Sequence, residues 1–390
     1  MSTVSQRCQR AGLKIVQVKS GDYEFCIPDV PAMPPIAFRT VRNTDHGCEV
    51  AIEEGRQQFP TGSEPVLRWV VLVSETDDSF QIVGLAHHAL FDAFSMALLL
   101  RRFLEVLGSK TIPEWEWPEP VLPRGQWSTF WKHLSRALPH TIQQECQKRS
   151  CQGLPRDEDG SGACIISRWT PEETDALTQA CHEAESTVTA VLGVTGMQAV
   201  ASKYGNEISL VDLVVPVNLR RYLPPAIAEN TLGNVVVVKT FVANFRKPLP
   251  FVEQSRRIAA QLRDYVTYQT PLRGYHSINL IIPKRIKVPP QLPVCVSANS
   301  MGRFDFPESP SGVRMLECGW FANGGTNMPI FSQSAATIDH CLSITFYSVW
   351  LAPEHVRSLA AEVERQLREF AGLLPTAAVP ATEALVTASP

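Results

Sequence analysis

The sequence has no excess of charge of either sign. Its 36 lysines and arginines nearly balance 39 aspartates and glutamates, so the formal net charge of the 390-residue chain is only −3. Proteins that bind nucleic acid need a large basic field, and nothing in this composition builds one. A nucleic-acid partner is therefore not expected, although a local basic patch for a phosphate-bearing cofactor stays open.

Long apolar runs and clustered cysteines are also missing. The first ten residues, MSTVSQRCQR, contain no apolar region of a secretory signal, and no run approaches the ~20 apolar residues of a membrane helix. The ten cysteines include no CxxC pair and do not cluster with histidines at ligand spacing. We therefore expect a cytoplasmic protein with reduced thiols, no metal site and no membrane partner.

Apolar residues are plentiful, and their distribution divides the chain. They make up 44% of the sequence and charged residues 19%, which is typical of a globular protein. A length of 390 residues suits two lobes, and we place the boundary at the end of the least regular stretch, 109–165. We expect an N-terminal lobe at 1–165, a C-terminal lobe at 166–374 and a disordered tail at 375–390.

In the first lobe, a hairpin is predicted by two apolar runs, Val66 to Ser74 and Phe80 to His87, that flank an acidic turn. The rest of residues 13–86 predicts mainly short strands and turns. From Phe91 to Leu107 the apolar residues recur at helical spacing, and Gly108 ends that pattern. The six residues His87 to Asp92, HHALFD, thus lie where a buried strand ends and a buried helix begins.

The second lobe alternates predicted helices and strands. Thr170, Pro171 and Glu173 form the sequence pattern of a capped helix start. Further helices are predicted at 187–203, 250–266 and from Pro353, and strands at 208–217, 233–242, 292–298 and 341–349. Another helix is expected near Ser128 to Lys148, at the junction of the lobes.

HHALFD carries the residues best suited to chemistry. Histidine is the usual protein base near neutral pH, and His88 could take a proton from an acceptor hydroxyl or amine. A histidine at a strand end is more often structural, so residue type alone leaves both interpretations open. Asp92 lies in a very apolar setting and needs a cation or several hydrogen-bond donors, or it caps the following helix. These two roles of Asp92 are compatible.

The segment resembles the HHxxxD signature of the chloramphenicol-acetyltransferase-like superfamily. That group contains condensation domains, plant acyltransferases and fungal alcohol acyltransferases. Further stretches are similar to the family in the right order: Glu64 to Arg68; Val217 to Arg220 with Leu232 to Asn234; Val296 to Gly302; and Leu342 to Tyr347. The resemblance implies an α/β fold of two similar lobes, each a mixed sheet with helices, and a tunnel between the lobes.

The resemblance also implies roles for individual residues. His88 would be the general base, halfway along the tunnel, and His87 would be structural. Asp92 would point away from the substrate and hold its loop through an ion pair with Arg220, or failing that with Arg221. Ser297 and Asn299 are candidates for lining the tunnel or for stabilising the oxyanion, a contribution often worth ~3 kcal/mol. For each of these two residues, a polar strand end is the more common explanation.

Three features depart from the family pattern. Ala93 follows the motif aspartate where the family often has glycine, and the DFGWG signature of plant members is not present. The region before residue 13 is shorter than the helix and strand usual there, which would leave part of the tunnel wall to another segment or chain. These departures bear on activity rather than on the fold.

The leading functional hypothesis is a free-standing acyltransferase. It would move an acyl group, acetyl being the first candidate, from a coenzyme A thioester to a hydroxyl of a small secondary metabolite. Acyl-CoA would be a co-substrate, and no cofactor would be bound permanently. Two alternatives remain: a condensation-type enzyme that takes its acyl groups from a carrier protein, and a non-catalytic binding protein of the same fold.

Overall fold

The computed structural model describes residues 14–17, 23–26, 33–42, 47–57, 59, 65–109, 162–204, 210–245, 247–267, 272, 294–322 and 329–374. Within these residues the fold is α/β, as predicted. Two antiparallel strands near the start, β1 (Lys14–Gln17) and β2 (Tyr23–Cys26), form a small sheet of their own. The predicted helix at 128–148 and the predicted tail at 375–390 lie outside the described residues.

The first large unit is a three-stranded sheet with two helices. Along the chain it contains β3 (Ile36–Val41), α1 (Gly47–Arg56), β4 (Leu67–Ser74), β5 (Phe80–Ala86) and α2 (Ala93–Val106). Strand β4 lies in the middle, parallel to β3 and antiparallel to β5. The pairing of β4 with β5 across the acidic turn confirms the predicted hairpin.

Helix α2 follows the predicted apolar stripe closely. Leu98 and Leu99 are buried against Trp69 of β4, and Met96, Leu100 and Phe103 pack around them. The helix ends just before Gly108, whose φ of +82° is a backbone conformation that glycine adopts without a steric penalty. The predicted helix, Phe91 to Leu107, is slightly longer at both ends than the observed helix, Ala93–Val106.

Helix α1 was not predicted within residues 13–86, which were expected to form mainly short strands and turns. Its sequence, GCEVAIEEGR, has few apolar positions, with glycine near both ends. Tertiary contacts hold it instead: Val50 packs against Val70, Leu72 and Val83 of the hairpin. Such packing overrides weak local propensity, which is why the pattern alone did not predict this helix.

The second unit is built on a six-stranded mixed sheet. Its strands and helices follow in the order β6 (Ala163–Arg168), α3 (Pro171–Glu183), α4 (Val188–Tyr204), β7 (Leu210–Asn218), a 3₁₀ turn (Leu219–Tyr222), α5 (Pro225–Ala228), β8 (Val236–Asn244), α6 (Phe251–Thr267), β9 (Cys295–Phe304), β10 (Phe331–Ile338), β11 (Cys341–Ser348) and α7 (Pro353–Phe370). The strand order is β6-β11-β10-β9-β7-β8. Strand β9 runs parallel to both of its neighbours, and the remaining pairs are antiparallel.

Most of the predicted elements of this unit are present. Thr170 and Glu173 form the expected reciprocal capping box at the start of α3. Strand β10 was missed, because FSQSAATI mixes small and polar residues that do not resemble a buried strand. The strand β6 pairs with β11 along its length, so the sheet begins at Ala163, slightly before the lobe boundary placed at 165/166.

Candidate active site

The HHALFD segment forms a tight turn between β5 and α2. The amide of His87 donates to the carbonyl of Val66 at 2.9 Å, which continues the hairpin by one more bond. The amide of Leu90 then donates to the carbonyl of His87 at 2.9 Å and closes the turn. Leu90 and Phe91 are buried, whereas His88 is exposed. The apolar members of the segment anchor it and leave the His88 ring facing outward.

The hydrogen bonding of His88 selects one tautomer of its ring. Nδ1 lies 3.2 Å from the carbonyl oxygen of Phe91, and a carbonyl can only accept, so neutral His88 carries its proton on Nδ1. Nε2 therefore holds the free lone pair, and within the described part of the chain no hydrogen bond is made to it. A neutral imidazole with a free lone pair and an oriented ring is equipped to act as a general base.

His87 is placed differently from its neighbour. Its Nδ1 accepts the amide hydrogen of Ala89 at 3.3 Å, so the proton of neutral His87 is on Nε2. The ring is half-buried, and its centroid lies 6.2 Å from that of Phe59. In this tautomer His87 supports the turn through its lone pair, which is the arrangement of a structural histidine.

Asp92 is fully enclosed, with 3% of its surface exposed. Its Oδ1 accepts the amide of Ser95 at 2.9 Å, the hydroxyl of Ser95 at 2.8 Å and Nη2 of Arg220 at 3.0 Å. Its Oδ2 accepts Nη1 of Arg220 at 2.6 Å and the amide of Val235 at 3.0 Å. Asp92 thus both caps α2 and forms a two-bond ion pair with Arg220, the two roles that the sequence left compatible.

Arg220 reaches the first unit from the 3₁₀ turn of the second. Its side chain is also 3% exposed, and Nε and Nη2 donate to the carbonyls of Thr231 and Gly233. The guanidinium carbon lies 4.7 Å from the centroid of the Phe94 ring, a cation–π distance. The guanidinium of Arg220 is therefore paired with a carboxylate, with backbone carbonyls and with an aromatic ring. Such pairing is the condition for keeping a charge in an apolar interior.

Ser95 and Asn234 belong to this network and were not among the predicted site residues. The Ser95 hydroxyl gives its one hydrogen to Asp92, and its oxygen accepts the Gly233 amide at 3.0 Å and lies 2.9 Å from the Gly233 carbonyl. Asn234 Nδ2 donates to the backbone carbonyl of His88 at 2.8 Å, so the second unit holds the histidine turn directly. The Leu232 to Asn234 stretch carried a sequence signal, whereas nothing distinguished Ser95 from an ordinary serine in a first helical turn.

Ser297 and Asn299 lie together on one face of the six-stranded sheet. They are two residues apart in β9, and the register places them beside Ser332 and Ser334 of β10. Ser297 is buried, and Asn299 is half-buried. Among the described residues neither makes a hydrogen bond or ring contact with His88. Their assignment to the tunnel wall or to the oxyanion stays a prediction.

Acidification is expected to destabilise the fold through His87. Burial, and then the adjacent His88, lower the pKa of His87 below its usual value of about 6.5. The folded state thus binds fewer protons than the unfolded state. The contribution of His87 to folding stability is therefore complete above pH ~6.5 and is lost as the pH falls through the lower folded pKa. Thermal unfolding midpoints between pH 7.5 and 5 should fall less for His87→Gln than for the unmodified protein; identical slopes would contradict this attribution.

Neither a cluster of metal ligands nor a membrane-spanning helix is found among the described residues. No group of three or more histidine, cysteine, aspartate or glutamate side chains is arranged there to hold a metal ion. No helix among those residues combines the length and apolar character needed to cross a bilayer.

Comparison with known proteins agrees with this fold. The profile of the phthiocerol/phthiodiolone dimycocerosyl transferase C-terminus family matches residues 165–352. A curated relative, azaphilone biosynthesis cluster protein M of Aspergillus terreus, is 24% identical over 254 residues, which are 58% of this chain and 60% of that protein. The chain thus spans less than two thirds of the length of this relative.

Solved structures extend the likeness over nearly the whole chain. Trichothecene 15-O-acetyltransferase of Fusarium sporotrichioides gives a TM-score of 0.69 at 10% identity, covering 95% of this chain and 85% of that one. Polyketide synthase associated protein 5 of Mycobacterium tuberculosis gives 0.60 at 13%, covering 95% and 89%. The epimerization domain from the third module of tyrocidine synthetase B gives 0.58 at 14%, covering 93% and 85%.

The sequence and structure comparisons agree on what the chain is similar to. The fold resembles the two-lobed α/β fold of the chloramphenicol-acetyltransferase-like superfamily, and residues 165–352 match the transferase family model. The proteins that share this fold include an acetyltransferase and an epimerization domain of tyrocidine synthetase B, and the matching family model is that of a transferase.

Proposed function

We propose that this protein transfers an acyl group from a coenzyme A thioester to a hydroxyl of a small secondary metabolite, with His88 as general base. The observation that carries the proposal is the state of the His88 ring. The Phe91 carbonyl orients the ring through Nδ1, and Nε2 is left with its lone pair on an exposed turn. A pre-oriented neutral imidazole of this kind typically contributes about 10²–10⁴-fold to a rate through proton transfer.

The chemistry then needs only one movable proton on the protein. Nε2 of His88 takes the proton from the acceptor hydroxyl as its oxygen attacks the thioester carbonyl. When the tetrahedral intermediate collapses, the carbon–sulfur bond breaks and the proton passes from Nε2 to the leaving thiolate. The products are an ester and free coenzyme A, and His88 returns to its neutral form. No cofactor is consumed, so acyl-CoA enters purely as a co-substrate.

The Asp92–Arg220 pair would act on this base only through position. Both side chains lie behind the turn, and their charges are satisfied within the network. They hold the start of α2, while Asn234 holds the His88 carbonyl from the second unit. We assign Ser297 and Asn299 to the tunnel wall, where either could donate a hydrogen bond to the oxyanion of the intermediate.

The names of the relatives support an alcohol as the acceptor. One is a trichothecene 15-O-acetyltransferase, and another is a protein of an azaphilone biosynthesis cluster. Because some structural neighbours are condensation-type domains, an acylated carrier protein is a second candidate donor. It would present the acyl thioester in place of coenzyme A. The third hypothesis, a non-catalytic binding protein, makes the distinct prediction that neither donor is turned over.

One assay separates these three hypotheses. The purified protein is incubated with acetyl-CoA and longer acyl-CoAs, or with acylated carrier protein, in the presence and absence of metabolite extract from the source cells. We expect free thiol to appear from acyl-CoA only when the acceptor is present, and mass spectrometry to detect the matching ester. A chelator should leave the rate unchanged, since no metal takes part.

The comparison of the two donors, acyl-CoA and acylated carrier protein, distinguishes the three hypotheses. Turnover of the carrier-bound thioester alone would replace the coenzyme A donor by the condensation-type alternative. Thiol release that is independent of acceptor would mean hydrolysis rather than transfer. No turnover with either donor, in protein that unfolds cooperatively, would leave the binding-protein hypothesis in place of the enzyme.

A further inference from the structure

Two cysteines from distant parts of the chain meet at the junction of the two units. Cys48 lies in the first turn of α1, and Cys164 is the second residue of β6. Their sulfur atoms are 3.1 Å apart although 116 positions separate them in the sequence, and the Cys164 thiol donates its hydrogen to Cys48. Both residues are half-buried rather than enclosed in a core.

Helix α1 is the element that bridges the two sheets at this point. Val50 packs into the hairpin of the first unit, whereas the Cys48 end of the helix meets β6 of the second unit. The far end of α1 is fixed to the first unit by the ion pair of Arg39 with the buried Glu54. A covalent bond between Cys48 and Cys164 would therefore tie the first unit to the edge of the six-stranded sheet.

The surroundings make the two thiols unequal. The hydrogen bond from Cys164 lowers the pKa of Cys48; Arg168 adds to this, while burial, Glu317 and Glu49 oppose it. The same hydrogen bond raises the pKa of Cys164, and burial acts in the same direction. By contrast, burial raises the pKa of Cys181 and of Cys318 to about 12. Since the thiolate is the reactive form, Cys48 is the better nucleophile of the pair.

We propose that Cys48 and Cys164 form a redox-sensitive thiol pair that exchanges with a small-molecule disulfide, such as glutathione disulfide, and closes into a cystine linking α1 to β6. The Cys48 thiolate attacks one sulfur of glutathione disulfide and releases one glutathione thiolate. Cys164 then loses its proton and attacks the Cys48 sulfur of the mixed disulfide, which releases the second glutathione. Two protein thiols and one glutathione disulfide thus become one protein disulfide and two glutathione molecules.

The first test maps the bond. The full chain is equilibrated in buffers of decreasing ratio of glutathione to glutathione disulfide, alkylated, digested and analysed by mass spectrometry. A peptide that joins Cys48 to Cys164 should accumulate as the buffer becomes oxidising, in the unmodified protein and in the control Cys341→Ser. The proposal is overturned if no such peptide forms in buffers that produce glutathione adducts on this chain.

Single substitutions test the order of the two steps. In Cys164→Ser the second step is impossible, so glutathione should remain on Cys48 as a stable mixed disulfide. In Cys48→Ser the slower nucleophile is left alone, and Cys164 should be modified more slowly than Cys48 is in Cys164→Ser. Equal modification rates at the two positions would contradict the assignment of Cys48 as the attacking thiol.

Thermal unfolding tests whether the bond ties the two units. A disulfide that closes so long a loop restricts the unfolded chain strongly, so the oxidised protein should unfold at a midpoint higher by roughly 5 °C. Oxidant should not shift the midpoint of Cys48→Ser, and dithiothreitol should reverse the shift in the unmodified protein. If protein with a verified Cys48–Cys164 disulfide unfolded at the same midpoint as the reduced protein, the inference that this bond ties the two units together would be contradicted.

Discussion

Replacement of His88 by alanine is expected to lower the rate of acyl transfer by about 10²–10⁴-fold, the usual contribution of a positioned general base. The loss should fall on kcat, because the ring is needed when the acceptor oxygen attacks rather than when the thioester binds. Folding should be nearly unaffected, since the side chain is exposed and its hydrogen bond goes to the backbone carbonyl of Phe91. Steady-state kinetics with matched thermal unfolding curves measure both effects.

A second histidine controls for the substitution itself. His355 is exposed on the first turn of α7, in the second unit, and His355→Ala should keep full activity. Free imidazole added to His88→Ala should restore part of the rate, because the missing ring faced solvent. If His88→Ala transferred acyl groups as fast as the unmodified protein, the role of His88 as base would have to be abandoned.

The sequence predicted those parts of the fold whose local signals agree with their tertiary surroundings. The hairpin of β4 and β5 has two apolar runs around an acidic turn, and helix α3 has a complete capping box. In both cases the residues that specify the element are neighbours in the chain. Local propensity and final packing then lead to the same structure.

The missed elements depend on contacts that no local window contains. Strand β10 buries Gln333 completely, and this is tolerated because its amide donates to the carbonyl of Leu192 in α4 at 3.0 Å. A glutamine in a run of small residues does not resemble a core strand until that partner is known. Helix α1 likewise depends on Val50 packing against a hairpin formed later in the chain.

The candidate site divides in the same way. His88, Asp92 and Arg220 could be selected from the sequence because their motifs resemble a known superfamily. Ser95 could not, since its partner Gly233 is 138 positions away and its role exists only after the two units have met. The tautomers of His87 and His88 could not be predicted from the sequence either. Each tautomer depends on whether the ring lies against a backbone carbonyl or a backbone amide.

Breaking the Asp92–Arg220 pair is expected to cost the fold about 3–5 kcal/mol, since either single removal leaves a buried charge without its partner. Arg220→Ala strands a carboxylate that is 3% exposed, and Asp92→Ala strands a guanidinium that is equally buried. Each variant should unfold at a much lower urea concentration and give less folded protein. Activity should fall together with the folded fraction, because the pair positions the base without contacting substrate.

Arg221 provides a matched control for this prediction. It is the next residue and also an arginine, but it is exposed, so Arg221→Ala should change stability by no more than ~0.5 kcal/mol. Arg220→Lys keeps the charge but loses the two-bond geometry, and its stability should lie between Arg220→Ala and the unmodified protein. The double variant Asp92→Ala/Arg220→Ala removes both charges, so its cost should be smaller than the sum of the two single costs by up to ~3 kcal/mol. Additive costs would mean that the two side chains stabilise the fold independently, which would contradict a coupled ion pair between the two units.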